Sequence, residues 1–352
     1  MVRSKKNNKE TQLPYQPSWI DRITALVNKT RIPFAIVYIL VWLVFFIALI
    51  LLRWQDGTFP VGTINNTDVV MSLTGIFFVA LVHYLDNWAI KKLRIFRESI
   101  LVPDEEFEGL AYRLSSLPPR PTLIASLISF GFGGITFIIT PTSYDFIHIG
   151  FNSPSSILQL INFLFGWFTF GALSYHVFHQ LTLGGMATAN YLRINLFNLS
   201  PVYTFAGLTM RSAMGWLIVA YAWALTTPNL FQNFVIIATI GFMQVVAVLT
   251  FILPLLGAHE KIVEKKAESL HEISTRMENV VDEMSKVNEN YDKDRLSKLK
   301  DILSTLSMAE ERIQKIPTWP WKPSVVNSLA TAILLPNAVW VFQLVVEQFF
   351  LK

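Results

Sequence analysis

Hydrophobic positions in this chain do not alternate with polar ones but gather into seven runs, at 32–52, 68–90, 121–140, 155–183, 203–226, 229–256 and 325–349. Each is long enough to cross a hydrocarbon core about 30 Å thick, which takes about 20 residues of α-helix. Inside lipid no water is present to satisfy backbone amides and carbonyls, so a spanning run must be helical. No period-two pattern recurs over many segments, which excludes a β-barrel, and no internal repeat is visible. The predicted fold class is therefore all-α, a polytopic membrane protein with seven transmembrane helices.

The polar connections orient the spans. The N-terminal segment carries Arg3, Lys5, Lys6, Lys9, Arg22, Lys29 and Arg31, and the second connection carries Lys91, Lys92, Arg94, Arg97, Arg113 and Arg120. Arg193 lies in the fourth connection, and twelve more basic residues lie in 257–324, so 26 of the 29 fall on one side. Arg53 and Lys352 fall on the other, and Arg211 lies within a span. Cytoplasmic loops carry the excess of Lys and Arg, which places the N-terminus in the cytoplasm and the C-terminus outside. The first run is too long for a signal-peptide core and is expected to remain as an anchor. Just before it, Trp19, Ile20, Ile23, Leu26 and Val27 share one helical face. That face suits either an interfacial helix on the inner leaflet or one packed on the protein's own cytoplasmic parts.

Composition supports a membrane protein: 52% of residues are hydrophobic and 15% charged, where soluble domains carry roughly 25% charged residues. The chain has no cysteine, which excludes disulfides, thiolate metal sites and thiol nucleophiles. Its +4 charge resides in membrane-flanking connections, so no nucleic-acid partner is expected.

The one long polar stretch is 257–324. Val263, Leu270, Met277 and Met284 recur every seven residues, with Ile273, Val280 and Val287 at the second seam position. After a polar break at 288–292 the pattern restarts with Leu296, Leu299, Leu303, Leu306 and Ile313. Heptads on both sides of a short turn predict a coiled-coil-like antiparallel helical hairpin between the sixth and seventh spans, joined to the sixth near Gly257. Its mixed Glu and Lys face is a solvated surface, and Pro317, Pro320 and Pro323 with Trp319 and Trp321 stop the helix and mark re-entry into the membrane. Four segments follow: 1–31, a cytoplasmic N-terminal segment with an amphipathic helix; 32–256, six transmembrane helices; 257–318, the cytoplasmic hairpin; and 319–352, the seventh helix.

The last span ends Val341-Phe342-Gln343-Leu344-Val345-Val346-Glu347-Gln348-Phe349. This resembles the C-terminal signature of insect odorant and gustatory receptors, Thr-Tyr, five mostly apolar residues, then Gln-Phe. Gln348 and Phe349 match, Phe342 stands for Tyr, Val341 replaces Thr, and Gln343 and Glu347 interrupt the apolar stretch. The layout is similar as well, with seven spans, a cytoplasmic N-terminus, and a long cytoplasmic extension before a divided last helix. The resemblance implies a distant relative of this ion-channel superfamily, with a prokaryotic member among the readings: a homotetramer with a ligand-gated cation pore lined by the last helix. On this chain Asn337, Val341, Leu344 and Gln348 share a face at i, i+4, i+7 and i+11. Val341 and Leu344 would form an apolar constriction and Gln348 an amide ring, with Glu347 beside it to attract cations.

Other groups point to chemistry inside the spans. Phe163, Trp167 and Phe170 belong to an aromatic run on the fourth span that suits a pocket for a small hydrophobic ligand. His83 and Asp86 on the second span and His176 and His179 on the fourth are i, i+3 pairs at similar depth, a donor set able to hold Zn²⁺ or Fe²⁺. That alternative is a metal-dependent, membrane-embedded lipid hydrolase, although the seven-span lipid hydrolases use histidines in their last span and this chain has none there. Arg211 is placed to snorkel or to pair with Asp86. Gly131, Gly133 and Gly134 suit close helix packing. The favoured expectation is a multi-pass cell-membrane receptor or channel, not an enzyme, with no cofactor and with membrane lipid and further copies of itself as partners. A non-conducting sensor or scaffold is the second alternative.

Overall fold

The computed structural model describes residues 14–95, 97, 100–139, 147–191, 194–227, 230, 234–286 and 293–350; of 188–190, 343, 344 and 346–350 it describes the backbone alone. Its helices are α1 (Trp19–Asn28), α2 (Phe34–Gln55), α3 (Asn66–Ile95), α4 (Asp104–Ser115), α5 (Pro119–Ile139), α6 (Pro154–Asn190), α7 (Ser200–Thr226), α8 (Phe234–Ile252), α9 (Leu256–Lys286), α10 (Lys293–Gln314) and α11 (Pro323–Phe350). Seven helical stretches are long and apolar enough to cross a membrane, and they contain α2, α3, α5, α6, α7, α8 and α11. No strand occurs among the described residues. The chain is thus a multi-pass, all-helical membrane protein, as the seven apolar runs predict.

Local chemistry sets the helix starts. Ser18 and Asp21 form a capping box at α1, where the Asp21 carboxylate accepts from the Ser18 amide at 2.8 Å; this satisfies amides that a helix start leaves open. Ser153 caps α6 through the Ser156 amide, and Pro154 takes the first turn, where a missing N–H does no harm. The break after α8 falls in the 3-10 turn Leu253–Leu255, centred on Pro254. Gly257 lies inside α9; proline, which cannot donate to the helix ladder, sets the join.

Helix α6 is the spine of the bundle, flanked by α3 and α5, while α7 pairs with α8 and also packs on α3. Along α6, Ser155, Gln159, Asn162, Thr169, His176 and Gln180 are all buried. Their three-, four- and seven-residue spacing forms one stripe, and four of them bond to α3: Gln159 to Asp68, Asn162 to the Met71 carbonyl, and His176 and Gln180 to Asp86. A polar seam inside an apolar bundle fixes register, because any slip would strand these groups in a low-dielectric interior. Of the three glycines expected to admit a neighbour, only Gly133 does so: a Cβ there would lie 2.3 Å from the Trp167 ring, whereas one at Gly131 or Gly134 meets nothing within 4 Å. The less yielding contact is at Gly171, where a Cβ would lie 2.3 Å from a backbone atom, the Ala125 carbonyl oxygen.

Helices α9 and α10 pack along each other, with Glu283 against Arg295 at one end and Lys266 donating to the Gln314 and Ile316 carbonyls at the other. Leu270, Ile273, Met277, Val280 and Met284 are half-buried, as are Leu296, Leu303 and Leu306, while Leu299 and Ile313 are fully covered. Val263 is an exception: it is exposed, and Ile262 takes the buried position. Val287 and the break at 288–292 lie outside the described residues.

Helix α1 packs on the protein itself. Ile20, Asp21 and Thr24 are buried, the Trp19 ring lies tilted against Phe168 with centres 4.8 Å apart, and Asp21 Oδ2 accepts from the Leu117 amide at 2.8 Å. Of its amphipathic face Ile20 is buried in the bundle, while Ile23 and Leu26 are exposed.

Candidate functional site

Between α3, α5, α6, α7 and α8 lies a chamber of about 900 Å³, within the range of ligand pockets, roughly 300–1,000 Å³. It extends from the first half of α3, the end of α7 and the start of α8 to Ala125 of α5 and Phe178 of α6. Phe163, Trp167 and Phe170 all line it, so the structure brings the predicted aromatic trio together. Their rings are locked edge to face: Trp167 meets Phe163 at 6.3 Å and Phe170 at 5.5 Å, and Phe170 meets Trp216 at 5.3 Å.

The chemistry of the wall is uniform. Among the described residues no Asp, Glu, Lys, Arg or His lines the chamber. Its serine and threonine hydroxyls are occupied: Thr74, Ser129, Ser174 and Thr239 donate to the carbonyls of Val70, Trp167, Phe170 and Val235. Asn162 donates to the Met71 carbonyl at 3.0 Å. A cavity of this kind holds an uncharged, mainly apolar molecule, because a charge there would lose its hydration with no partner. Ile128, Phe132, Phe178, Phe234 and Phe242 line the chamber and are also exposed on the outside of the bundle. The chamber therefore opens sideways, between α5 and α8, toward the surface that lipid would cover.

One end of the bundle is tied by an ion pair that sequence reading missed. Arg53, at the end of α2, donates to Asp68 Oδ1 at 2.7 Å and to the Ile147 carbonyl at 3.2 Å, and both charged side chains are 0% exposed. Gln159 donates to the same carboxylate oxygen at 3.3 Å, and the guanidinium lies 4.9 Å from the Phe59 ring. Next to it Asp56 accepts from the Ser155 amide at 3.0 Å and from Thr58. Burial opposes its ionisation, but bonds from Ser155 and Thr58 prevail and hold its carboxyl well below the usual carboxylate range.

At the other end, the four candidate metal ligands separate. His176 Nε2 contacts Asp86 Oδ1 at 2.8 Å, and Gln180 bridges that carboxylate at 3.3 Å to the Leu114 carbonyl at 3.0 Å. His83 lies instead between Tyr38, 3.2 Å from Nδ1, and Asn28 Oδ1, 2.9 Å from Nε2. That pattern uses both ring nitrogens, with Nε2 donating to Asn28 and Nδ1 accepting from Tyr38. His179 stacks on Tyr175 and reaches Tyr15 at 3.5 Å. Among the described residues no three His, Asp or Glu side chains converge on a metal-sized site. The set works as bracing between α1, α4 and the bundle. Tyr15, its hydroxyl raised above the ordinary range by burial and by neighbouring Tyr112, is a donor to the Ser116 carbonyl at 2.6 Å.

Helix α11 lies against α7 and touches α8 through Asn337 and Gln244, whose amides pair at 3.4 Å in both directions. Trp340 meets Tyr221 at 5.6 Å, and Leu329 is buried. Asn337 of the predicted pore stripe thus turns to its own chain, while Val341 is exposed. The stripe's two described members differ, one bonded to α8 and the other uncovered. The side chains of Leu344, Glu347 and Gln348 lie outside the described residues.

The missed residues left a signal. Gln159, Asn162, Thr169, His176 and Gln180 repeat at helical spacing within one apolar run, which marks a buried partner face. Arg53 and Asp68 sit at facing ends of consecutive spans, yet Arg53 reads as loop charge when loops are only counted. No family model matches the chain, and neither a curated protein nor a solved structure matches it.

Proposed function

We propose that this protein is a receptor-like channel of the cell membrane that binds a small, uncharged hydrophobic molecule in the α3–α5–α6–α7–α8 chamber. The observation that carries this reading is the chamber itself: about 900 Å³ with aromatic walls and no charged lining residue among those described, opening sideways where a lipid-dissolved molecule would arrive. Conduction follows from the resemblance to the odorant and gustatory receptors. The exposure of Leu334, Leu335, Val339, Val341 and Phe342 on α11 supports assembly of four copies about this helix. In that arrangement α9 and α10 lie in the cytoplasm, the N-terminus is cytoplasmic and the C-terminus external.

The coupling route is short. Val219 and Trp223 of α7 and Met243 of α8 line the chamber, and α7 and α8 also carry the contacts to Trp340 and Asn337 of α11. Occupancy that shifts α7 against α8 therefore acts on the last helix through packed neighbours.

The test is reconstitution of the purified chain in planar bilayers with a panel of volatile apolar compounds. At least one should evoke cation current, and Leu344→Ser should raise resting leak by wetting the apolar constriction. A folded, monomeric wild type silent to every compound and voltage, with an equally silent Leu344→Ser, would overturn the channel.

A further inference from the structure

On the outer edge of the bundle, Tyr84, Trp88 and Lys92 of α3 are spaced i, i+4 and i+8 and face Gly207 and Arg211 of α7. Arg211 Nε donates to the Tyr84 hydroxyl at 2.9 Å and Nη1 to the Gly207 carbonyl at 2.8 Å. The Arg211 guanidinium carbon lies 4.4 Å, and Lys92 Nζ 5.7 Å, from the centre of the one Trp88 ring. Gly207 makes the approach possible, since a Cβ there would sit 3.3 Å from both the Trp88 ring and Arg211 Nη1. Neither cation forms a salt bridge among the described residues. Two positive charges are thus gathered on one indole, with only neutral oxygens and a π face as partners.

Their surroundings say what would neutralise them. Arg211 is three turns inside a spanning helix, where a charge is expensive and almost always meets a counter-charge. Beside Trp88 and Lys92 a cleft of about 90 Å³ is walled by Leu93, Ile100, Phe205 and Leu208, and all of these are apolar. Cations between spanning helices, on the side where basic loops concentrate, match the anionic head of a membrane lipid, whose tail is already in hydrocarbon. A soluble anion fits poorly, because it would have to leave water to reach Arg211.

We propose that Trp88, Lys92 and Arg211 form a binding site for the headgroup of an anionic phospholipid of the inner leaflet, with its phosphate on the two cations. Trp88 positions both cations and Tyr84 fixes the guanidinium plane. The site is independent of the hydrophobic chamber.

The test uses the full chain purified in detergent and mixed with phosphatidylglycerol or phosphatidylcholine of identical acyl chains, with bound lipid counted by native mass spectrometry. Phosphatidylglycerol should be retained in preference. A Lys or Arg near a membrane surface contributes about 1 kcal/mol toward an anionic lipid, so Lys92→Gln should weaken retention about fivefold and the Lys92→Gln/Arg211→Gln pair roughly thirtyfold. Lys92→Arg and Arg211→Lys keep the charge and should keep the lipid. Lys92 sits at the surface, so Lys92→Gln remains informative if variants at Arg211 fail to fold. Equal retention of the two lipids would overturn the proposal, as would unchanged retention in folded Lys92→Gln. Displacement of the lipid by inorganic phosphate would reassign the cations to a soluble anion. Loss of lipid preference on self-association would reassign them to a carboxylate of a second copy.

Discussion

Removing either partner of the Arg53–Asp68 pair should destabilise the fold, but the two losses should respond differently to pH. Both side chains are 0% exposed, and breaking such a pair leaves one buried charge, which costs about 3–5 kcal/mol. In Asp68→Asn the guanidinium remains and cannot give up its proton; it keeps the Ile147 carbonyl, the Phe59 ring and the charge of nearby Asp56 but loses the carboxylate it is bonded to. In Arg53→Met the carboxylate can escape by taking up a proton. Lifting a carboxyl from its ordinary pKa near 3.9 to pH 7 costs about 4 kcal/mol at 1.36 kcal/mol per unit, which caps the penalty. The folded form of that variant then binds a proton that the unfolded chain releases, so its stability falls as pH rises above about 4 and recovers on acidification. Asp68→Asn should show no such recovery. Replacing both with apolar residues, Arg53→Met with Asp68→Leu, should restore most of the loss. SDS-induced unfolding in mixed micelles, followed by the fluorescence of the 10 tryptophans, measures all three between pH 5 and 8. If Arg53→Met loses as much at pH 5 as at pH 7, or if the double variant is the least stable, the buried-charge reasoning is wrong.

Three further outcomes follow from the same packing. Asp56 sits below its usual range through Ser155 and Thr58, so it stabilises the fold above about pH 4 and the contribution fades as pH falls further; Asp56→Asn should flatten the acid limb of an unfolding-midpoint profile, and an unchanged limb would refute the assignment. Gly171→Ala should cost about 1–3 kcal/mol in the same unfolding assay because its Cβ meets backbone oxygen, whereas Gly131→Ala should be neutral or stabilising by roughly 0.5–1 kcal/mol. Purified protein should contain far less than one zinc or iron per chain by elemental analysis, and stoichiometric metal lost on His176→Ala would move the hydrolase reading ahead of the receptor.

The fold was legible where lipid leaves the backbone no choice. Seven apolar runs had to be helices, and the structure has seven stretches fit to span. The apolar register of α9 and α10 was readable too, because every seventh position had to meet a partner; Val263 misled because Ile262 precedes it, and either could serve until the helix phase is set by the bundle below. The aromatic trio on α6 marked one wall of a hydrophobic pocket, but the other walls were not legible, since they come from α5 and α8, which only tertiary packing brings opposite α6. The histidines looked like a ligand set because depth along the helices can be read from sequence while rotation about them cannot: His83 turns toward α1 and α2, and His176 toward Asp86. Arg211 was tied to Asp86 for the same reason. Depth allowed that pair, but rotation gave Arg211 to Tyr84 and Trp88.

The chamber's occupancy is the most direct test, and Gly166 makes it clean. Gly166 lines the chamber, and a Cβ there meets nothing within 4 Å, so Gly166→Phe projects a ring into open space without disturbing helix packing. Replacing a glycine within a helix also favours the helix slightly, so the variant should unfold no earlier than wild type. Binding of a radiolabelled apolar compound to the purified full chain, measured by scintillation proximity, should be saturable at one site per chain and weakened at least about tenfold, 1.4 kcal/mol, in Gly166→Phe. Non-saturable partitioning, or saturable binding of equal affinity in a stably folded Gly166→Phe, would contradict a hydrophobic ligand in this chamber.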